Sequence, residues 1–250
     1  MISGDIVQTS NVDTFGAVVV GWFTPDYRPL AEEFSRQLSQ HQAPHHLFAK
    51  SKGVDQGWST KLKPSVVREA MDLYPGRVVV LMDVDCIVRG DIRPMVHGNQ
   101  DVGITAIARD IPEQKQFINL SCSSRVVVFR PTDGARQFVA EWQRRVALSR
   151  YMNDEHAMVW AFLASIGTSF SYIDRRYSGR EITDRVAGAV ILHDSAHEKA
   201  RRVGSVREAV KEFERRWLRT GRTAAAKAAG HLSVQLQDGF SECRAQGQQS

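Results

Sequence analysis

Residues 77–92, RVVVLMDVDCIVRGDI, constrain this chain more than any other stretch. Val78 to Met82 are five consecutive apolar residues. An apolar run without polar alternation reads as a strand buried on both faces, usually a central parallel one. Asp83-Val84-Asp85 follows at once, where the strand leaves the sheet, and a second short apolar run, Cys86 to Val88, comes next. In open α/β sheets the carboxyl ends of the strands form the ligand crevice. Side chains two apart share a side of an extended backbone, so Asp83 and Asp85 are expected to reach one cation. Two like charges closing an apolar strand are costly unless a cation neutralises them. The stretch therefore predicts an α/β fold with a divalent-metal site at a strand end.

The rest of the chain supplies the remaining layers. Ala17 to Phe23 (AVVVGWF) reads as the first buried strand, ending at Thr24-Pro25. Leu30, Phe34, Leu38 and His41 at spacings of about one turn predict a helix. Pro44 interrupts the chain before a second strand, His45 to Ala49, so the chain opens as a βαβ unit. A polar loop, Ser51 to Lys63, leads to Pro64 in the first turn of a helix reaching Leu73. Strands are expected at Asp101–Ala108 and Arg125–Phe129, with an irregular polar loop, Arg109–Ser124, between them. Asp133 is the expected cap of a helix carrying Phe138, Trp142 and Val146 on one face. Asn153 is expected to cap the next helix, which reads as apolar nearly all round and hence buried. Late strands are expected at Tyr172–Asp174 and Ala189–His193. Ser205 and Glu208 form a capping box for a helix with Val206, Val210, Phe213 and Trp217 as a stripe. The boundaries are an N-terminal segment at 1–14, one domain at 15–220 and a polar C-terminal tail at 221–250, expected to be mobile.

A length of 250 residues suits one α/β domain with short additions. The cysteines Cys86, Cys122 and Cys243 are far apart with no CxxC pair, which argues against a zinc site or a disulfide framework and for a reducing compartment. The N-terminus lacks a signal-peptide pattern, and no apolar run approaches the ~18 residues of a spanning helix. The expected location is therefore cytoplasmic. A net charge of +5 with dispersed basic doublets suits anionic partners such as nucleotide pyrophosphates, an acidic acceptor or the inner membrane face. Peripheral membrane contact would require the Val206–Trp217 stripe to be exposed. Nucleic acid is not an expected partner, because the doublets are not arrayed with aromatics.

LMDVDCIVRGDI resembles the hhhDxDhhhxGDI signature of GT-A-fold glycosyltransferases, particularly those using UDP-sugars and Mn²⁺, and the resemblance covers roughly residues 15–200. It implies a single GT-A-like, Rossmann-like α/β domain with a central, mostly parallel sheet flanked by helices. It further implies a hexosyl- or hexosaminyltransferase moving sugar from a nucleotide-diphosphate donor to a saccharide, glycolipid or other acceptor. In VILHDSAHEK, His193 ends an apolar strand, and His193 with Lys199 matches the family's H-x₅-K spacing, although Ala196 stands where relatives often have Gly. The resemblance makes His193 the third metal ligand beside Asp83 and Asp85. It assigns Lys199 to the pyrophosphate. Two carboxylates and one imidazole suit Mn²⁺ or Mg²⁺.

Asp154 and Glu155 at a helix start complement the helix dipole. The resemblance also gives them a role facing the donor sugar and acceptor. The resemblance further implies that Trp58, Lys61 and Lys63 of the stretch WSTKLKP lie beside the nucleotide and Thr24 beside the nucleobase or ribose, with Asp83 shared between metal and donor. Two other readings use the same residues. A haloacid-dehalogenase-type phosphatase also has hhhDxD, but near the N-terminus and with Thr or Val two residues later, where this chain has Ile87. A non-catalytic sugar-nucleotide-binding relative would keep the fold and lose the metal ligands.

Overall fold

The apolar run at 78–82 forms a strand with a neighbour on each side, and the other elements are layered about it. The computed structural model describes residues 4–51, 60–110, 118–148, 153–180 and 188–193, all within one compact unit, Met1–Ser195. Trp58, Lys199, the expected helix from Ser205 and the tail at 221–250 lie outside the described residues. In chain order the elements are β1 (Ile6–Gln8), α1 (Val12–Phe15), β2 (Ala17–Phe23), α2 (Arg28–Gln40), β3 (His45–Ala49) and α3 (Lys63–Leu73). Then come β4 (Val78–Met82), β5 (Cys86–Val88), α4 (Arg93–Val96), β6 (Val102–Asp110) and β7 (Ile118–Phe129). The last are α5 (Asp133–Leu148), α6 (Asp154–Ala164), β8 (Phe170–Tyr172), β9 (Gly179–Arg180) and β10 (Ile191–His193).

Seven strands form the central sheet in the order β1-β3-β2-β4-β7-β6-β8. β2 lies parallel to β3 and β4, and β6 parallel to β8, whereas β1 and β7 run against their neighbours. The sheet is mixed but mostly parallel. β4 is central, as its unbroken apolar run requires, with a parallel neighbour on one side and an antiparallel one on the other. β5, β10 and β9 make a second, three-stranded sheet.

The strands' period-2 alternation divides the core between the two faces of the sheet. Val18, Val20, Val79, Leu81, Val127 and Phe129 pack with α3, α5 and α6 through Val67, Ala70, Phe138, Trp142 and Met158. On the other face Val19, Val80, Met82, Val126 and Val128 meet Ala31, Phe34 and Leu38 of α2 and Cys86, Val88 and Ile191 of the small sheet. The α2 stripe is Ala31, Phe34 and Leu38, while Leu30 and His41 lie at its half-buried margin. Among the described residues no helix is long and apolar enough to cross a membrane.

Four local expectations are corrected. The stretch 109–124 is not an irregular loop over its described part: β6 and β7 form an antiparallel ladder through Ala106–Cys122 and Asp110–Ile118 pairs. A neighbouring strand satisfies backbone N–H and C=O groups whatever the side-chain polarity, so composition misled there. Thr132, not Asp133, caps α5; its hydroxyl accepts from Ala135 N at 3.2 Å, and Asp133 is already helical. Helix α6 is buried on one side only, through Ala157, Met158 and Ala161, with Leu163 exposed, because α5 and β7 cover only that side. The late strands are shorter or shifted, at Phe170–Tyr172 and Ile191–His193.

Gly21 in β2 shows how closely β4 is held near the aspartates. A Cβ there would lie 2.7 Å from the Met82 carbonyl oxygen and 3.2 Å from Val84 Cγ1. Gly21→Ala is therefore expected to cost about 1–3 kcal/mol by overpacking, measured by urea denaturation. Because the displaced backbone carries Asp83, divalent-cation affinity should fall with it.

Candidate metal centre

Asp83 and Asp85 sit beyond the end of β4, in the turn to β5. The Cys86 N–H donates to the Asp83 carbonyl at 3.0 Å, and the Asp83 N–H donates to the Arg125 carbonyl at 3.0 Å. This corrects the reason for their convergence. The two carboxylates are gathered by a tight turn rather than by alternation along an extended strand. His193 is not on the central sheet either. It ends β10, whose antiparallel ladder with β5 pairs His193 with Cys86. That register sets the imidazole beside the turn, with His193 Nε2 3.1 Å from Asp85 Oδ1 and 3.7 Å from Asp83 Oδ2.

One ligand atom from each of Asp83, Asp85 and His193 lies within 4.8 Å of the others. Oxygen ligands sit about 2.0–2.6 Å from Mg²⁺ or Ca²⁺, so a spread of this size can close on a single cation. The donor set, two carboxylates and an imidazole, fits a hard to borderline divalent ion. Burial raises the Asp83 pKa above the ordinary carboxylate value; Asp85 adds to the rise while Lys63 and His193 oppose it. A group held this way gains most from a cation.

Beneath the pair lies Lys63, the first residue of α3. Its ammonium is 2.8 Å from Asp83 Oδ1, 3.0 Å from Asp154 Oδ2 and 3.0 Å from Ser124 Oγ. A helix N-terminus disfavours a cation, and burial lowers the Lys63 pKa. Asp83 and Asp154 outweigh that and hold the pKa above the usual lysine value. Asp154 is itself buried at the start of α6. It accepts from Ser124 Oγ at 2.5 Å, while its carbonyl accepts from Trp142 Nε1 at 3.0 Å. Asn153 caps α6 as expected, accepting from His156 N at 2.8 Å.

The other sequence-derived site residues are distributed unevenly. Glu155 follows Asp154 and keeps 38% of its side chain exposed, with Oε1 3.9 Å from Arg125. Thr24, just after β2, is buried and donates its hydroxyl to Asp26. Lys61 is half-buried in a 3₁₀ turn, Thr60–Leu62. Lys63 is engaged by Asp83, Asp154 and Ser124 beneath the metal pair, so its place is under the site rather than beside a free phosphate path.

Three residues escaped the sequence reading. Tyr27 is half-buried, and its phenol pKa is raised by burial and by the charges of Asp85, Asp26 and Asp83. Ser124 ended the stretch read as a loop, and Arg125 opened the expected strand Arg125–Phe129 without being given a role. One signal was available: a polar pair opening an apolar run that lies antiparallel to β4 must start where β4 ends.

No protein-family model matches the chain, and no curated protein matches it. Solved structures do. A glycosyltransferase involved in glycosylation of the major capsid of PBCV-1 superposes with a TM-score of 0.55 at 11% identity, over 74% of this chain and 96% of that one. The fold is the GT-A fold. Two further structures are similar at lower scores. The galactosyltransferase LgtC, in complex with donor and acceptor sugar analogs, has a TM-score of 0.46 at 9% identity, over 70% of this chain and 86% of that one. The glycosyltransferase GlyE of Streptococcus pneumoniae TIGR4 has a TM-score of 0.45 at 14% identity, over 73% of this chain and 55% of its own.

Removing Lys63 leaves two buried carboxylates facing each other. Lys63→Met is expected to cost about 3–5 kcal/mol in urea denaturation, and a second change, Asp154→Asn, should recover part of that loss. Cation binding at Asp83 requires its proton to leave. Because the Asp83 pKa is raised, affinity for Mn²⁺ should fall with decreasing pH, beginning above the range of an ordinary aspartate near about 3.9. Calorimetric Mn²⁺ titrations at descending pH would check this. Asp83→Asn should weaken binding and flatten that part of the dependence.

Proposed function

We propose that this chain is a glycosyltransferase that moves a hexosyl or hexosaminyl group from a nucleotide-diphosphate sugar, UDP-linked, to a saccharide or glycolipid acceptor, with Mn²⁺ or Mg²⁺ as cofactor. One observation carries the reading. Asp83, Asp85 and His193 converge at the carboxyl end of β4, the edge where α/β sheets bind ligands, in a fold shared with a capsid glycosyltransferase.

In this reading Asp83, Asp85 and His193 hold the cation. The cation supplies Lewis-acid stabilisation of the leaving nucleoside diphosphate. Lys63 fixes the carboxylate of Asp83 from below and ties it to Asp154, so the metal-binding turn and the start of α6 keep one separation. Glu155 stands beside them with an exposed carboxylate and orients a hydroxyl of the transferred sugar or of the acceptor. Lys199 in the H-x₅-K match neutralises the pyrophosphate, and Trp58, Lys61 and Thr24 line the nucleotide side. The proposed setting is the cytoplasm, at the inner membrane face when the acceptor is a lipid-linked saccharide.

Calorimetric titration with UDP, with and without Mn²⁺ and repeated with GDP, tests the reading. The expected result is Mn²⁺-dependent binding of UDP, abolished in Asp85→Ala while the melting temperature stays close to that of the parent. No binding of either nucleotide in any condition would overturn the proposal.

A further inference from the structure

Arg125 is a cation at this site that neither the metal centre nor the Lys63 network uses. Its position follows from an irregularity in β7. Between the Gly103–Val128 and Thr105–Ser123 pairs, β6 advances two residues while β7 advances five. The extra length bulges away from β6, while Val126 to Phe129 stay paired with β4 and the Arg125 carbonyl accepts from Asp83 N. Bulges of this kind re-aim side chains and concentrate beside active sites. This one sets Ser124 under Lys63 and Arg125 beside the start of α6.

The guanidinium is nearly out of water, at 12% side-chain exposure. Among the described residues its ion-pair partner is Glu155, and Nη2 to Oε1 is 3.9 Å, beyond hydrogen-bond reach. Its own carbonyl accepts from the Asp83 N–H at 3.0 Å, so the residue adjoins the turn that carries the metal pair. A desolvated arginine is costly without charge-assisted hydrogen bonds, and its planar fork matches carboxylate and phosphate oxygens bidentately. Elsewhere in the chain arginines find such partners directly: Arg144 reaches Glu141 at 2.6 and 2.7 Å. Arg125 does not, although it is far less exposed.

We infer that Arg125 is a substrate-binding residue of the donor site, holding an anionic group of the donor between Glu155 and the metal turn. The inference rests on the transferase reading. Two sources of the anion have the same chemistry, a carboxylate on the transferred sugar or the diphosphate of the donor. The carboxylate would make the donor a uronic-acid type of nucleotide sugar.

The test is calorimetric titration with UDP, UDP-glucose and UDP-glucuronate in Mn²⁺, using the wild type, Arg125→Gln, Arg125→Lys and Glu155→Gln. If the anion is a sugar carboxylate, the wild type prefers UDP-glucuronate over UDP-glucose by about tenfold or more, the scale of a bidentate charge-assisted contact. Arg125→Gln then removes that preference and leaves UDP binding unchanged. If the anion is the diphosphate, Arg125→Gln weakens all three ligands by a similar factor. In either case Arg125→Lys retains only part of the effect, because the charge remains and the fork is lost, and this variant also serves if the glutamine variant does not fold. Equal binding of all three ligands by wild type and Arg125→Gln would overturn the inference alone. So would a Glu155→Gln pattern identical to that of Arg125→Gln, since Arg125 would then only hold Glu155. Absence of nucleotide binding in the wild type would instead remove the transferase reading beneath it.

Discussion

The site depends on one buried ammonium. Asp83, Asp85, Asp154 and Glu155 are four acids at one edge of the sheet, and the carboxylates of Asp83 and Asp154 close on one ammonium, Lys63. Two unit charges about 4 Å apart interact by roughly 4 kcal/mol at an effective dielectric near 20, a large part of the whole stability of a domain. Lys63 turns that repulsion into attraction. It touches the turn after β4, the bulge of β7 through Ser124, and the first residue of α6. These are three distant parts of the sequence, and one side chain holds them in register. The helix dipole of α3 works against this placement, so the carboxylates, and not local helix energetics, account for a lysine at that position.

The sheet topology decides which residues can meet at that ammonium. β7 runs antiparallel to β4 and begins pairing with it at Val126, opposite Met82, so Ser124 and Arg125, just before that point, lie where β4 ends. A fully parallel sheet would have brought a strand's carboxyl end there instead. His193 arrives by a separate route, on the short β10 paired with β5. The geometry of the candidate metal site is therefore as secure as the β5–β10 ladder. Three strand pairs and a bonded Arg89 N–H to Val190 carbonyl, at 2.8 Å, support it. Asp154 and Glu155 need no special provision beyond their place, since the α6 N-terminus favours acids in its first turn. The dipole explanation and the functional one describe the same residues.

Much of this was legible in the chain. The apolar runs at 17–23 and 78–82 gave their strands to the residue, because a buried strand leaves few polar positions to confuse the pattern, and the strand at 45–49 (HHLFA) was marked by the Pro44 before it. Helix α3 was legible from Pro64 in its first turn and α5 from the Phe138, Trp142 and Val146 stripe. Asp83, Asp85 and His193 were legible through resemblance and strand-end position, though the turn and the second sheet that gather them were not. What failed was local pattern overridden by pairing. NLSCS (119–123) is largely polar, yet it is a strand because it pairs with β6. Lys63 read as a loop lysine beside the nucleotide, since nothing in the sequence around it announces that Asp83 and Asp154 close over it. Arg125 was hidden by a bulge, which inserts residues without any compositional mark.

The geometry also separates the two acids that the sequence left equivalent. Asp154 has its carboxylate on Lys63 and Ser124, and its carbonyl on Trp142. A group so bound can transmit position and little else: moving it would strand Lys63 and reopen the charge conflict with Asp83. Glu155 is one residue on, so the helix turns its side chain about 100° away, out of that network. Its carboxylate is partly exposed, and the nearby guanidinium stops short of a hydrogen bond. A carboxylate with open acceptor positions beside a cation with open donor positions can take a polyhydroxylated ligand between them without breaking any bond the fold already uses. In the proposed transferase, Asp154 is thus the frame and Glu155 the group that meets the substrate.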